Sequence, residues 1–166
     1  MKSPANVLLW SAVPTPLTPE LRVDEPAVRR MVEAAVNEGV QGLFLAGTCG
    51  EGPWLPEREK ERLVRNAVEC ADGRLTLAVQ VTDNSAARVL DNACSAARWG
   101  AHTVIIAPPA TFMNATPARL AAFYAEAVRD SPLPVGLYDL GKHRPVQIPE
   151  AVMLEMAIFP IRSRRN

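Results

Sequence analysis

A strand followed by a helix recurs about every thirty residues along this 166-residue chain, and that repeat restricts the fold more than any other feature. Short apolar runs bounded by glycine or proline predict buried strands. These runs are Val7–Val13, Gly42–Ala46, Leu75–Val81, Thr103–Ala107 and Val135–Tyr138. Between them, apolar residues recur at the spacing of a helix that covers a sheet. The repeat therefore predicts an α/β fold with parallel strands.

Helix boundaries are also marked in the sequence. Capping residues or first-turn prolines precede each apolar stripe, and glycine follows the first three stripes. The expected starts are Asp24, Pro56, Ser85 and Thr116-Pro117, and the expected ends are Gly39, Gly73 and Gly100. A sixth helical segment is expected over Glu150–Ala157, after Pro149.

Two architectures fit this repeat, a doubly wound open sheet and a (β/α)8 barrel. The sequence has no G-x-G-x-x-G motif after the first strand and no Walker A loop. In both architectures, ligands bind at the carboxyl ends of the strands. Thr48, Cys49, Pro108 and Tyr138 all fall at such ends.

The stretch Gly42–Gly52, GLFLAGTCGEG, combines a buried strand with a glycine-rich loop. Gly47 and Gly50 can adopt backbone angles that other residues avoid, so that successive N–H groups converge on one point. Thr48 and Cys49 add small polar side chains there. The loop suits a small anion such as a carboxylate or a phosphate. A plain turn between strand and helix is an equally good interpretation of the spacing alone.

Composition argues against several other functions. The chain has 18 basic and 18 acidic residues, which gives no reason to expect nucleic acid or a membrane as a partner. Prolines at 14 and 16 interrupt the apolar N-terminal run, so a signal peptide or a membrane span is not expected. Three cysteines without a C-x-x-C pair favour a reducing, cytoplasmic environment.

Four motifs in register resemble the dihydrodipicolinate synthase and N-acetylneuraminate lyase family of pyruvate-dependent class I aldolases. Val13–Leu17 (VPTPL) is similar to the V-T-P-F that follows the family's first strand. Gly47–Glu51 (GTCGE) resembles the G-T-T-G-E signature, and Ala107–Pro109 resembles T-P-P. Tyr138-Asp139 is similar to the Tyr-Asn or Tyr-Asp at the end of the fifth strand. The likeness covers about residues 5–158.

The resemblance implies a partial (β/α)8 TIM barrel of about five β-α units over residues 1–158, with a polar tail over 159–166. It implies a 2-keto acid such as pyruvate as ligand and neither a metal nor an organic cofactor. Gly47, Thr48 and Cys49 would bind the carboxylate, Thr48 and Tyr138 would act in catalysis with Tyr138 as proton relay, and Arg144 would contact substrate at the rim. A solvated loop is the alternative for Arg144, which competes with His143 for the position of the family's arginine.

Two departures from the family pattern concern specificity. Cys49 replaces the second threonine of the signature, and a thiol is a weaker hydrogen-bond donor than a hydroxyl. Pro109, Ala110 and Thr111 occupy the place where family members that make lysine precursors often have a tyrosine pair. The resemblance therefore favours an aldolase for a sugar-derived keto acid over dihydrodipicolinate synthase itself.

The family's imine-forming lysine has no counterpart in these 166 residues. Spacing from Tyr138 places it near Arg165 or Asn166, but no lysine follows Lys142. The polar segment 159–166 is also unlike a buried strand. We expect a C-terminally truncated family member that is inactive alone and self-associates through the open barrel or forms a homo-oligomer. The alternatives are a catalytically dead paralogue that only binds a 2-keto acid or a partner, and an unrelated doubly wound domain that binds phosphate.

Overall fold

The computed structural model describes residues 9–109 and 116–138, together with residues 148, 150, 151 and 153. The chain forms two compact units, residues 1–78 and 79–166. The boundary between them falls inside the third strand, so this strand contributes residues to both units.

The first unit begins with two β-α repeats. Its first two strands are parallel, with Trp10 beside Gly42 and Ala12 beside Phe44. Strand and helix alternate in the order that the sequence predicts, apart from a short 3-10 helix before α2. The elements are β1 (Trp10–Ala12), α1 (Glu25–Asn37), β2 (Gly42–Leu45), the 3-10 helix (Gly52–Trp54), α2 (Glu57–Ala71) and β3 (Thr76–Gln80).

The second unit continues the alternation from the end of β3. Its last two strands are also parallel, with Val104 beside Val135 and Ile106 beside Leu137. Of the predicted sixth helical segment, the described residues Glu150, Ala151 and Met153 are helical. The remaining elements are α3 (Ala86–Arg98), β4 (Thr103–Ile106), α4 (Pro117–Arg129) and β5 (Val135–Leu137).

The strands form one sheet in the order β1-β2-β3-β4-β5, which confirms the parallel α/β fold. Within the described residues, each strand is shorter than its apolar run. The clearest case is β2, which ends at Leu45 because Ala46 has a φ of 53° and leaves the extended conformation.

Local sequence signals explain the helix boundaries. The side chains of Asp24, Ser85 and Thr116 each accept a hydrogen bond from the backbone N–H three residues later, as N-caps do. Pro56 lies at the N-cap of α2 rather than inside its first turn. Glycines with positive φ follow α1, α2 and α3, at angles of 75°, 74° and 95°.

The apolar stripes of the helices supply the core of each unit. In α1, Val28 and Val32 are completely buried, and in α2, Val64 and Ala67 are completely buried. Burial of a valine or leucine side chain stabilises the fold by about 1.5–3 kcal/mol. The core of the first unit therefore consists in part of the apolar positions of α1 and α2 that the helical spacing predicts.

Candidate functional site

The loop after β2 begins with a reversal of the backbone at Ala46. Ala46 and Glu51 have φ values of 53° and 55°, in the left-handed region. Gly47 and Gly50 do not lie in that region, so the prediction that these two glycines supply unusual backbone angles was wrong. A left-handed conformation in a residue with a side chain costs about 1–3 kcal/mol, which the surrounding contacts must offset.

The glycines of this loop instead permit close packing. A Cβ at Gly52 would overlap the carbonyl of Ala46. A Cβ at Gly50 would lie 3.1 Å from both the Ala46 nitrogen and the Val13 carbonyl oxygen. The loop therefore folds back on the end of its own strand. A side chain does not fit at Gly52 unless the backbone moves, and one at Gly50 would require a smaller shift of its neighbours.

Hydrogen bonds within the loop make it compact. The Gly47 carbonyl accepts from the N–H groups of both Gly50 and Gly52, each at 3.1 Å. The Thr48 carbonyl accepts from the Glu51 N–H at 3.2 Å. The N–H groups of Gly50, Glu51 and Gly52 therefore donate inside the loop. They are not available to a ligand, contrary to the prediction that successive N–H groups of the loop converge on one.

Thr48 and Cys49 occupy the apex of the turn, and both are exposed. Within the described part of the chain, the Cys49 N–H donates no hydrogen bond. Gly47 is buried, and its carbonyl holds the turn together. The apex thus presents a hydroxyl, a thiol and a backbone N–H at the carboxyl end of β2, which is a suitable set of donors for a small anion.

Thr15 fixes this loop from a distance, a role that sequence reasoning missed. Its Oγ1 donates a hydrogen bond to the Gly50 carbonyl at 2.6 Å. Thr15 follows β1, where the sequence resembles the family's V-T-P-F, but the two partners are 35 residues apart. A contact over that separation has no local signature in the sequence.

A buried carboxylate holds the neighbouring segment of the first unit. Glu59 in α2 is 2% exposed, and its Oε2 accepts a hydrogen bond from the Val23 N–H at 2.9 Å. A cavity of about 250 Å³ lies beside this contact. Arg62 at its wall is 3.7 Å from Glu25 and 3.8 Å from Glu59, so its charge is balanced by the protein itself. This region is therefore not an obvious anion site.

Tyr138 follows β5 in the second unit and is half-buried. Its N–H donates to the Ile106 carbonyl at 3.0 Å, which extends the β4–β5 ladder by one residue. The backbone of the predicted proton relay is therefore fixed at the carboxyl end of its strand. Arg144, the predicted rim residue, lies outside the described residues.

The loop after β3 contains a second group of polar side chains. Asp83 is 2.7 Å from the guanidinium of Arg88 and accepts from the Asn84 N–H at 2.7 Å. The hydrogen bond from Arg88 lowers the pKa of Asp83 below its ordinary value, with Asn84 contributing to the same effect and partial burial opposing it. Asn92 donates to the Val81 carbonyl at 3.2 Å.

Residues 9–109 and 116–138 contain no group of three or more His, Cys, Asp or Glu side chains arranged to hold a metal ion. In the same part of the chain, no helix has the length and apolarity needed to cross a membrane.

Comparison with protein-family models matches residues 6–158 to the dihydrodipicolinate synthetase family. A 4-hydroxy-tetrahydrodipicolinate synthase from Kineococcus radiotolerans is 32% identical over 148 residues, which are 89% of this chain and 47% of the relative. The corresponding protein from an Exiguobacterium species is 29% identical over 90% of this chain and 51% of its own length. The chain therefore spans about half the length of the curated relatives that it matches.

Solved structures have the same fold. A dihydrodipicolinate synthase from Bacillus anthracis superposes with a TM-score of 0.85 at 22% identity, covering 92% of this chain and 52% of that one. A protein of the same family from Escherichia coli K12, solved in complex with pyruvate, gives a TM-score of 0.83 at 22% identity, with 92% and 51% covered. These relatives are TIM barrels, and the prediction of a partial (β/α)8 barrel is confirmed.

Proposed function

Since the chain belongs to the dihydrodipicolinate synthetase family, we propose that it binds the carboxylate of a 2-keto acid such as pyruvate at the loop Gly47–Glu51. The observation that carries the proposal is the exposed Thr48-Cys49 turn, which follows β2 and has an unused Cys49 N–H within the described residues. Family membership removes the main support for the alternative of an unrelated phosphate-binding domain.

The chemistry of the turn determines how it would hold the ligand. The Thr48 hydroxyl and the Cys49 N–H donate hydrogen bonds to the two carboxylate oxygens, and the Gly47 carbonyl keeps the turn in shape. The Cys49 thiol donates more weakly than the usual hydroxyl would. Because the carboxylate is held at a fixed place, the adjacent keto carbon is oriented for attack.

Tyr138 is proposed as the residue that moves a proton to and from the bound keto acid. A phenol can donate and accept a proton at the same oxygen, which suits both the formation of an imine and the making or breaking of a C–C bond. Arg144 is proposed to contact a carboxylate or hydroxyl at the rim of the same site.

The imine step itself needs an unprotonated amine. No lysine follows Lys142 in the 166 residues, and a guanidinium stays protonated and is not nucleophilic. We therefore expect these 166 residues to bind a 2-keto acid without forming the family's imine. These 166 residues then act as a module that binds a 2-keto acid or a partner. The activity proposed for a family member that has the lysine is that of a carbon–carbon or carbon–oxygen lyase.

Reductive trapping tests both parts of this proposal. The 166-residue chain is incubated with pyruvate and borohydride, and intact mass is measured beside a full-length relative as positive control. We expect no adduct on this chain, together with a pyruvate-dependent rise in its thermal unfolding midpoint. An adduct on a lysine of this chain would contradict the non-covalent part, and an unchanged midpoint at saturating pyruvate would contradict the binding part.

Self-association and location are proposed on separate observations. Leu9 and Trp10, at the outermost strand β1, are 57% and 36% exposed, whereas all four residues of β2 are buried. We propose that a second copy covers this edge. Light scattering over a range of concentrations should then show a dimer or larger species, and a strictly monomeric chain would contradict it. All three cysteines are free thiols, which supports a cytoplasmic location.

A further inference from the structure

Gln80, the last residue of β3, has a buried polar atom with an unused hydrogen-bonding capacity. Its Oε1 is shielded from solvent and accepts no hydrogen bond in the part of the chain that the structure describes. Buried polar atoms are nearly always hydrogen-bonded, so each exception calls for an explanation.

The ladder of the sheet determines which residues share a face with Gln80. The Val81 N–H donates to the Ile105 carbonyl at 3.0 Å, which places Gln80 beside Ile105 in neighbouring parallel strands. Ile105 is in turn beside Gly136 in β5. Gln80, Ile105 and Gly136 therefore form one row across a single face of the sheet.

The next row toward the carboxyl ends contains Tyr138. Tyr138 lies two residues after Gly136, and side chains two residues apart on a strand point to the same face. The separation between the two rows is about 7 Å along the strands. Gln80 therefore lies one row below the proposed proton relay, on the same face.

Burial differs between the two faces of β4 and of the carboxyl end of β3, whereas both faces of β5 are half-buried. Val79, Val104 and Ile106, which alternate with the row of Gln80, are 1% exposed or less. Gln80 and Tyr138 are only half-buried. In β4 and at the carboxyl end of β3, the face that carries Gln80 is thus the less covered one, and Gln80 would lie at the floor of a site beside Tyr138.

We propose that Gln80 is a specificity-determining residue whose Oε1 accepts a hydrogen bond from a hydroxyl group of a 2-keto acid held beside Tyr138. This inference rests on the proposed function. An acceptor at the floor of the site favours a hydroxylated ligand over its counterpart without the hydroxyl, because only the first can satisfy it.

Matched ligand pairs measure this preference directly. Dissociation constants are determined by calorimetry for pyruvate against 3-hydroxypyruvate and for 2-oxobutanoate against 4-hydroxy-2-oxobutanoate. In at least one pair, the hydroxylated acid should bind about tenfold more tightly, the effect of one additional hydrogen bond. In Gln80→Met, which keeps the length of the side chain but lacks an acceptor, the ratio should fall to about one.

Two further variants separate recognition from structure. Gln80→Glu keeps an acceptor and should keep the preference, although its charge weakens both affinities. Thr76→Val removes a polar group from the same strand and face, four residues earlier, and should leave the ratio unchanged. If Gln80→Met fails to fold, Gln80→Leu serves as the second variant without an acceptor.

Each outcome decides the inference. Equal affinities in the native chain for both members of both pairs would overturn the role of Gln80 and leave the proposed function standing. A preference that survives in the acceptor-free variant, or an equal loss of affinity for both members, would also overturn it. If the native chain binds none of the four acids, the proposed function fails, and the role of Gln80 fails with it.

Discussion

The loops after β2 and β3 both follow a buried parallel strand, yet they achieve their shape in different ways. The first is tightened by its backbone, through the Gly47 carbonyl and the close approach of Gly52 to Ala46. The second is tightened by side chains, because Asp83 is bonded to Arg88. Both loops expose small polar side chains, Thr48 and Cys49 in the first and Asn84 and Ser85 in the second, but Ser85 is used as the N-cap of α3.

This difference indicates which loop is built to receive a ligand. Side chains that hold a loop together are already occupied, and freeing them costs stability. In the first loop, the bonds to the Gly47 carbonyl and the close approach of Gly52 to Ala46 hold the turn, and its apex is exposed to solvent. We therefore expect a ligand at the exposed turn of Thr48 and Cys49 rather than at Asp83, which is bonded to Arg88.

The largest expected effect tests the backbone packing of the first loop. Gly52→Ala places a methyl group against the Ala46 carbonyl and should lower the free energy of unfolding by about 3 kcal/mol. Chemical denaturation monitored by circular dichroism measures it. Gly73→Ala is the matched control, since its Cβ meets nothing within 4 Å and only its φ of 74° is unfavourable, at about 1 kcal/mol. Equal losses in the two variants would contradict the packing argument.

Removing the distant hydrogen bond to the first loop should have an intermediate effect. Thr15→Val loses the bond to the Gly50 carbonyl and should cost about 1 kcal/mol of stability and several-fold in pyruvate affinity. Thr103→Val loses a similar bond to the Pro134 carbonyl and should cost stability without changing pyruvate affinity. The comparison fails if both variants lower the affinity by the same factor.

The second loop should show a pH dependence that the first lacks. Because the folded-state pKa of Asp83 is lowered, its ionised carboxylate stabilises the fold above the ordinary carboxylate pKa. This stabilisation is lost as the pH falls through the folded-state pKa. Asp83→Asn should thus cost about 1 kcal/mol at pH 7, with the deficit shrinking below about pH 4. Urea titrations across this range measure the deficit, and one that is constant with pH would contradict the assignment. Glu33→Gln breaks an ion pair with Arg74 at the surface, where solvent screens the charges, and should leave the unfolding midpoint almost unchanged.

The smallest effect on stability is expected at the apex of the first loop. Cys49→Thr changes an exposed side chain and should alter the free energy of unfolding by less than about 0.5 kcal/mol. The stronger hydroxyl donor should raise pyruvate affinity by about threefold to tenfold. Calorimetry on Cys94→Thr, in α3, provides the control. A marked loss of stability in Cys49→Thr would show that the apex is structural.

Sequence reasoning succeeded where the signals are local. Caps such as Asp24 and Ser85 bond within three residues, and the apolar stripes repeat at a fixed spacing. It failed where the cause lies outside the local sequence. Ala46 adopts a left-handed conformation because the loop packs back on its strand, and the residues around Ala46 do not indicate this. The bond from Thr15 and the one from Val23 to Glu59 span 35 and 36 residues, and neither was foreseen.

The most direct test of the difference between the two loops is an amide spectrum of the isotope-labelled chain titrated with pyruvate. We predict saturable shifts at the Thr48 and Cys49 amides with little change at Asp83 and Asn84. Acetate, which has the carboxylate but not the ketone, serves as the control and should bind more weakly at the same amides. Equal shifts in the two loops, or no shift at Thr48 and Cys49 at saturating pyruvate, would contradict the account.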